Sequence, residues 1–71
     1  MNMFKYKNFI GSISYSREDG CYHGHILEIA DTVTYESQTI PGLKKSFEDS
    51  VNDYLKTCEE LNRSPRFKHL E

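Results

Sequence analysis

The sequence predicts a small α+β domain in two layers, an antiparallel three-stranded sheet covered on one face by one long helix. Three observations predict it. Between Thr39 and Asn62 a single apolar stripe recurs at helical spacing. Upstream, from Phe4 to Glu36, three runs alternate apolar and polar residues with period two. The first two runs are joined by a polar stretch that ends in Asp19-Gly20, a hairpin signal when flanked by alternating segments.

The helix organises the rest. Ile40, Leu43, Phe47, Val51, Tyr54, Leu55, Cys58 and Leu61 fall within roughly 120° of one another at the helical turn angle. Thr39 supplies an N-cap, and Pro41 is tolerated in the first turn, where its missing N–H costs nothing. Asn62 provides a left-handed stop, and Pro65 prevents resumption. A helix with one apolar stripe draws its stability from packing, so the preceding segment must supply the opposing surface.

The first strand runs from Phe4 to Tyr15, with Phe9, Gly11, Ile13 and Tyr15 on one face and Ile10, Ser12 and Ser14 on the other. The turn Ser16-Arg17-Glu18-Asp19-Gly20 follows. The second strand, Cys21 to Leu27, alternates Tyr22, Gly24 and Ile26 against Cys21, His23, His25 and Leu27. A loop around Glu28 to Asp31 leads to a third strand, Thr32 to Glu36, rich in β-branched and aromatic residues. The larger apolar set, Ile13, Tyr15, Tyr22, Ile26, Val33 and Tyr35, is expected to meet the helix. Residues 63–71 form a charged tail or a short edge strand around Arg66 to Lys68. The whole chain, 1–71, is expected to be one domain with its core at about 4–62.

Composition narrows the function. A chain of 71 residues holds one domain at most. So small a core gives marginal stability, and exposed strand edges favour self-association, so a dimer or larger even-numbered oligomer is expected. A net charge of −2 argues against nucleic acid as the main ligand. No stretch is suited to a signal peptide or a bilayer span, which points to the cytoplasm. The two cysteines, Cys21 and Cys58, are then expected as free thiols.

The run Tyr15-Ser16-Arg17-Glu18-Asp19-Gly20-Cys21-Tyr22-His23-Gly24 resembles the N-terminal domain of the HicB antitoxin family. So do Ile29-Ala30-Asp31-Thr32-Val33-Thr34-Tyr35-Glu36 and the helix pattern Leu43, Phe47, Val51-Asn52-Asp53-Tyr54-Leu55 and Cys58-Glu59-Glu60-Leu61. The resemblance covers about residues 4 to 62 and lies in the combination and its order, since no single motif is catalytic. It implies a β-β-β-α fold described as a partial ribonuclease-H-like domain. It implies an antitoxin of a type II toxin–antitoxin pair that binds a HicA-type mRNA-cleaving toxin and blocks its active site. Many family members bind operator DNA through a C-terminal segment. After Pro65 too few residues remain here for one, so DNA binding is not expected of residues 1–71.

Cysteine, histidine and carboxylate residues are also the raw material of metal sites and nucleases. Cys21, His23 and His25 share one strand face and are of zinc-ligating type. The first and third are too far apart along an extended strand to converge easily, and Ser12, Ser14, Thr32 and Thr34 beside them are poor ligands. A polar outer face, or a self-association surface, is the simpler account, and no metal or cofactor is expected. Two-metal nucleases need several converging carboxylates, and the first strand supplies none. Glu18 and Asp19 sit in a turn, and Asp31 is expected to bond its own backbone. No nucleophile–base pair is evident, so no enzyme is expected.

Lys44 and Lys45 near the helix start, with Glu59 and Glu60 near its end, oppose the macrodipole. A solvated face with compensating pairs such as Lys56–Glu60 accounts for this. The functional alternative is that Glu48, Asp49, Asp53, Glu59 and Glu60 steer a basic partner. Two rivals to the antitoxin remain: a stand-alone nucleic-acid-binding or regulatory module without a toxin partner, and a metal-dependent hydrolase.

Overall fold

A computed structural model describes residues 3–64 of the chain. Its elements are strands β1 (Phe4–Tyr6), β2 (Phe9–Gly11), β3 (Ser14–Ser16), β4 (Cys21–His25) and β5 (Thr34–Ser37), then helix α1 (Ile40–Glu60). The strands form a two-stranded sheet, β1-β2, and a three-stranded sheet, β3-β4-β5, all pairs antiparallel. The α+β class and the single covering helix are as expected, but the first run is not one strand.

That run doubles back at Lys7-Asn8, where both residues have positive φ, 49° and 69°. Tyr6 pairs with Phe9 across this two-residue loop, the geometry of a hairpin turn that matches strand twist. Lysine is a poor residue for positive φ, and burial offsets the strain. The hairpin puts Phe4 and Phe9 into the core, with Phe4 stacked on Phe47 at 5.6 Å and Phe9 edge-on to Tyr54 at 5.9 Å. Its tip is tied to the helix, because Lys7 Nζ and Tyr6 Oη both donate to Asn52 Oδ1, at 3.0 and 3.3 Å.

The two sheets share one register along β4. Gly11 bridges Ile26, and Ser14 pairs with His23. Between them the ladder is interrupted at Ser12, whose amide still donates to the His25 carbonyl at 3.0 Å. The Ser12 carbonyl instead accepts from Tyr35 Oη at 2.8 Å, and the His25 amide donates to Ser12 Oγ at 3.0 Å. Burial pushes the Tyr35 phenol up to about 12.

The helix ends as its sequence dictates. Thr39 Oγ1 accepts from the Gly42 amide at 3.0 Å, with Pro41 in the first turn. At the other end Asn62 has φ 59°, its amide donates to the Glu59 carbonyl, and the Arg63 amide donates to the Cys58 carbonyl. That pair of bonds is the Schellman stop.

The core comprises Phe4, Phe9, Ile26, Ile29, Tyr35, Leu43, Phe47, Val51, Tyr54 and Cys58. Ile13, Tyr22, Val33 and Leu55 pack against it partly buried. Tyr15 departs from expectation: it is 53 % exposed and lies against Tyr22, ring centroids 4.8 Å apart. Ile40 and Leu61, at the two ends of the stripe, are exposed as well, since a helix of 21 residues overhangs strands of three to five. The expected edge strand at Arg66 to Lys68 lies outside the described residues.

Candidate functional site

Period-two alternation puts the polar residues of β3, β4 and β5 on the face away from the helix. One cross-strand row runs Ser14–His23–Glu36, Ser16 lies beside Cys21, and His25, paired with Thr34, is bonded on its other side to Ser12. His25 Nδ1 lies 3.2 Å from Ser12 Oγ, so this ring is oriented by a hydroxyl. Partial burial first, then the carboxylates of Glu36 and Asp19, push the Cys21 thiol up. A thiol held in its protonated form is a poor nucleophile and a poor metal ligand. Among the described residues, Cys21, His23 and His25 do not join in a group placed to hold a metal ion. The face is a hydrogen-bonding surface of hydroxyls and imidazoles with acid at one end.

A second feature lies on the flank where the helix meets β5. Asp31, expected from its loop position to bond its own backbone turn, contacts Tyr54 and Arg63 instead. Its Oδ2 accepts from Tyr54 Oη at 2.8 Å and from Arg63 Nη2 at 3.3 Å. One carboxylate thereby ties the loop before β5 to the helix core and to the residue after the helix stop. Beside it is a groove of about 360 Å³, lined by Val33, Thr34, Ser50, Asp53, Thr57 and the Asp31–Tyr54–Arg63 cluster. Sequence reasoning missed this cluster. Its only trace in the sequence is Asp31 itself, two residues after the buried Ile29, and the partner positions 23 and 32 residues away are set by packing alone.

The acidic residues of the helix do not form one patch. Glu48 is held by Lys44 at 2.6 Å and Asp49 by Lys45 at 3.6 Å, each one helical turn away. These two pairs are the ones that compensate the macrodipole; Lys56–Glu60 is not paired among the described residues. Asp53 lines the groove. Glu59 stands beside Asn62, Arg63 and Ser64 near the helix end, and Glu60 faces solvent. Two of the five are thus partly neutralised within the chain, Glu59 lines a shallow site at the helix end, and Asp53 lines the groove between helix and β5.

Among the described residues no helix is long and apolar enough to cross a membrane. The chain matches no family model, and no curated protein or solved structure was found to be similar to it.

Proposed function

We propose that the chain is a protein-binding domain of the HicB antitoxin type, working in the cytoplasm. It neutralises a HicA-type mRNA-cleaving toxin by covering the surface on which that toxin holds RNA. The reading rests on one observation above others. The three segments that resemble the family, Tyr15–Gly24, Ile29–Glu36 and Leu43–Leu61, make up one continuous unit of hairpin, strand and helix. The domain is then a variant of the partial ribonuclease-H-like fold, with the β1-β2 hairpin as an added flap.

Its chemistry is that of recognition. A toxin that holds RNA presents cationic groups, and an acidic domain is complementary to them; this raises encounter rates more than it deepens affinity. Asp53, Glu59 and Glu60 on the helix and Glu36 on the sheet supply charge for that approach. Inhibition is steric, with no bond made or broken by the antitoxin.

Co-expression of residues 1–71 with a small basic toxin encoded in the adjacent reading frame tests this. Restored growth and intact mRNA are expected. Continued mRNA cleavage in the presence of the folded domain overturns the proposal.

A further inference from the structure

Strand β5 lies at the edge of the three-stranded sheet. The Ile26 amide donates to the Val33 carbonyl at 3.0 Å, so Val33, Tyr35 and Ser37 turn their backbone groups toward β4. By the alternation of an antiparallel ladder, Thr34 and Glu36 turn theirs outward. The helix meets this outer edge where Ser46 Oγ donates to the Glu36 carbonyl at 3.5 Å. Beyond that contact opens the groove, with Val33 and Thr34 on the strand side and Ser50, Asp53 and Thr57 on the helix side. Its other end is closed by Asp31, held by Tyr54 and Arg63.

We propose that this groove takes an extended segment of a basic protein partner, which hydrogen-bonds along the Thr34 edge and sets one arginine or lysine against Asp53. The proposal deepens the antitoxin reading and rests on it for the partner's basic character.

The chemistry of the groove selects that occupant. The outward N–H and C=O of Thr34 match the backbone of an added strand. The Glu36 end of β5 is guarded by its charge and by the helix contact at Ser46, whereas the Thr34 end carries no proline, lysine or other charged residue. Val33 and the Tyr54 ring offer apolar contact to the methylene stem of a long basic side chain. The hydroxyls of Ser50 and Thr57 and the Asp53 carboxylate accept from its charged head. Asp53 is available for this. Glu48, Asp49 and Asp31 have cationic partners within the chain, and no ion pair among the described residues involves Asp53. A second copy fits less well, since pairing β5 with itself brings two sets of Glu36 and Asp53 together, and like charges across strands repel.

The test measures binding of the adjacent-frame toxin to the full chain and to variants whose thermal unfolding matches the wild type. Asp53→Lys and Ser50→Arg should each weaken binding by roughly tenfold or more, the second by filling the groove with the chain's own cation. Glu18→Lys, the same charge change in the distant hairpin turn, should alter it by less than about threefold. Amide exchange at Thr34 should slow in the complex, and Thr34→Pro, which removes an outward N–H and no hydrogen bond of the β4–β5 ladder, should abolish that contact. Equal binding by wild type, Asp53→Lys and Ser50→Arg overturns the groove assignment and leaves the antitoxin reading standing. Absence of toxin binding by the wild type overturns both. Thr34 protection without toxin, accompanied by self-association that Ser50→Arg abolishes, assigns the groove to a second copy and overturns the proposal.

Discussion

Tyr35 and Ser12 exchange the roles that a regular ladder would have given to backbone alone. The Tyr35 phenol donates to the Ser12 carbonyl at 2.8 Å, and the Ser12 hydroxyl accepts the His25 amide that this carbonyl would otherwise have taken. A core aromatic on β5 is thereby bonded to the backbone at the point where the two sheets meet. Tyr35→Phe leaves the carbonyl without its donor and should cost about 1–2 kcal/mol. The pH dependence has a definite sign. The folded-state value of Tyr35 is raised to about 12 from an ordinary 10. Its contribution is therefore complete below pH 10 and is lost as pH rises through 12. Urea midpoints measured from pH 8 to 12 should fall more steeply for wild type than for Tyr35→Phe. Parallel curves would refute the assignment.

Gly24 pairs with Tyr35 across the sheet, and its lack of a side chain is what lets that arrangement close. A methyl there would overlap the Ser12 carbonyl and stand 2.9 Å from the Tyr35 ring. At Gly11 a methyl would meet the Tyr35 hydroxyl and stand 2.6 Å from the Phe47 ring. Gly24→Ala and Gly11→Ala should each cost at least about 1–3 kcal/mol. In Gly24→Ala the Tyr35-dependent alkaline component should vanish too, because the phenol is displaced. Calorimetry with a pH series checks both statements.

Phe47 is fully buried and touches both halves of the sheet through Phe4 and Tyr35, ring centroids 5.6 and 5.5 Å away. Phe47→Ala should cost roughly 3–5 kcal/mol. Domains hold only about 5–15 kcal/mol in total, so the variant should be largely unfolded at 37 °C by circular dichroism. An unchanged melting temperature would mean that the helix packs on another face.

Asp31 bonds Tyr54 and Arg63 at once. Asp31→Ala should cost about 1–2 kcal/mol, since it removes the carboxylate that accepts from Tyr54 and releases the residue after the helix stop. The effect should be local. Amide exchange should quicken at Thr57 to Leu61 and stay unchanged in the β1-β2 ladder. Uniform acceleration across the domain would contradict a local clamp.

The helix was legible in the sequence to within a residue or two at each end, because its determinants are local. Thr39, Pro41 and Asn62 act on their own backbone, and the stripe of Leu43, Phe47, Val51 and Cys58 reports its buried face directly. The hairpin closed at Gly20 was legible for the same reason, as were the two faces of the sheet, which follow from a period of two. The doubling-back at Lys7-Asn8 was not, since the turn lacks the glycine that usually marks it and Phe4 and Phe9 supply the compensating burial from a distance. Nor was the exposure of Tyr15, which depends on how far the helix reaches over the sheet. The groove at Thr34 and Asp53 was the least legible part. Sequence showed Asp53 only as one acid among five on a helix. Its place beside an open strand edge was decided by the angle at which helix and sheet cross, and that angle is set by the packing of side chains far apart in the chain.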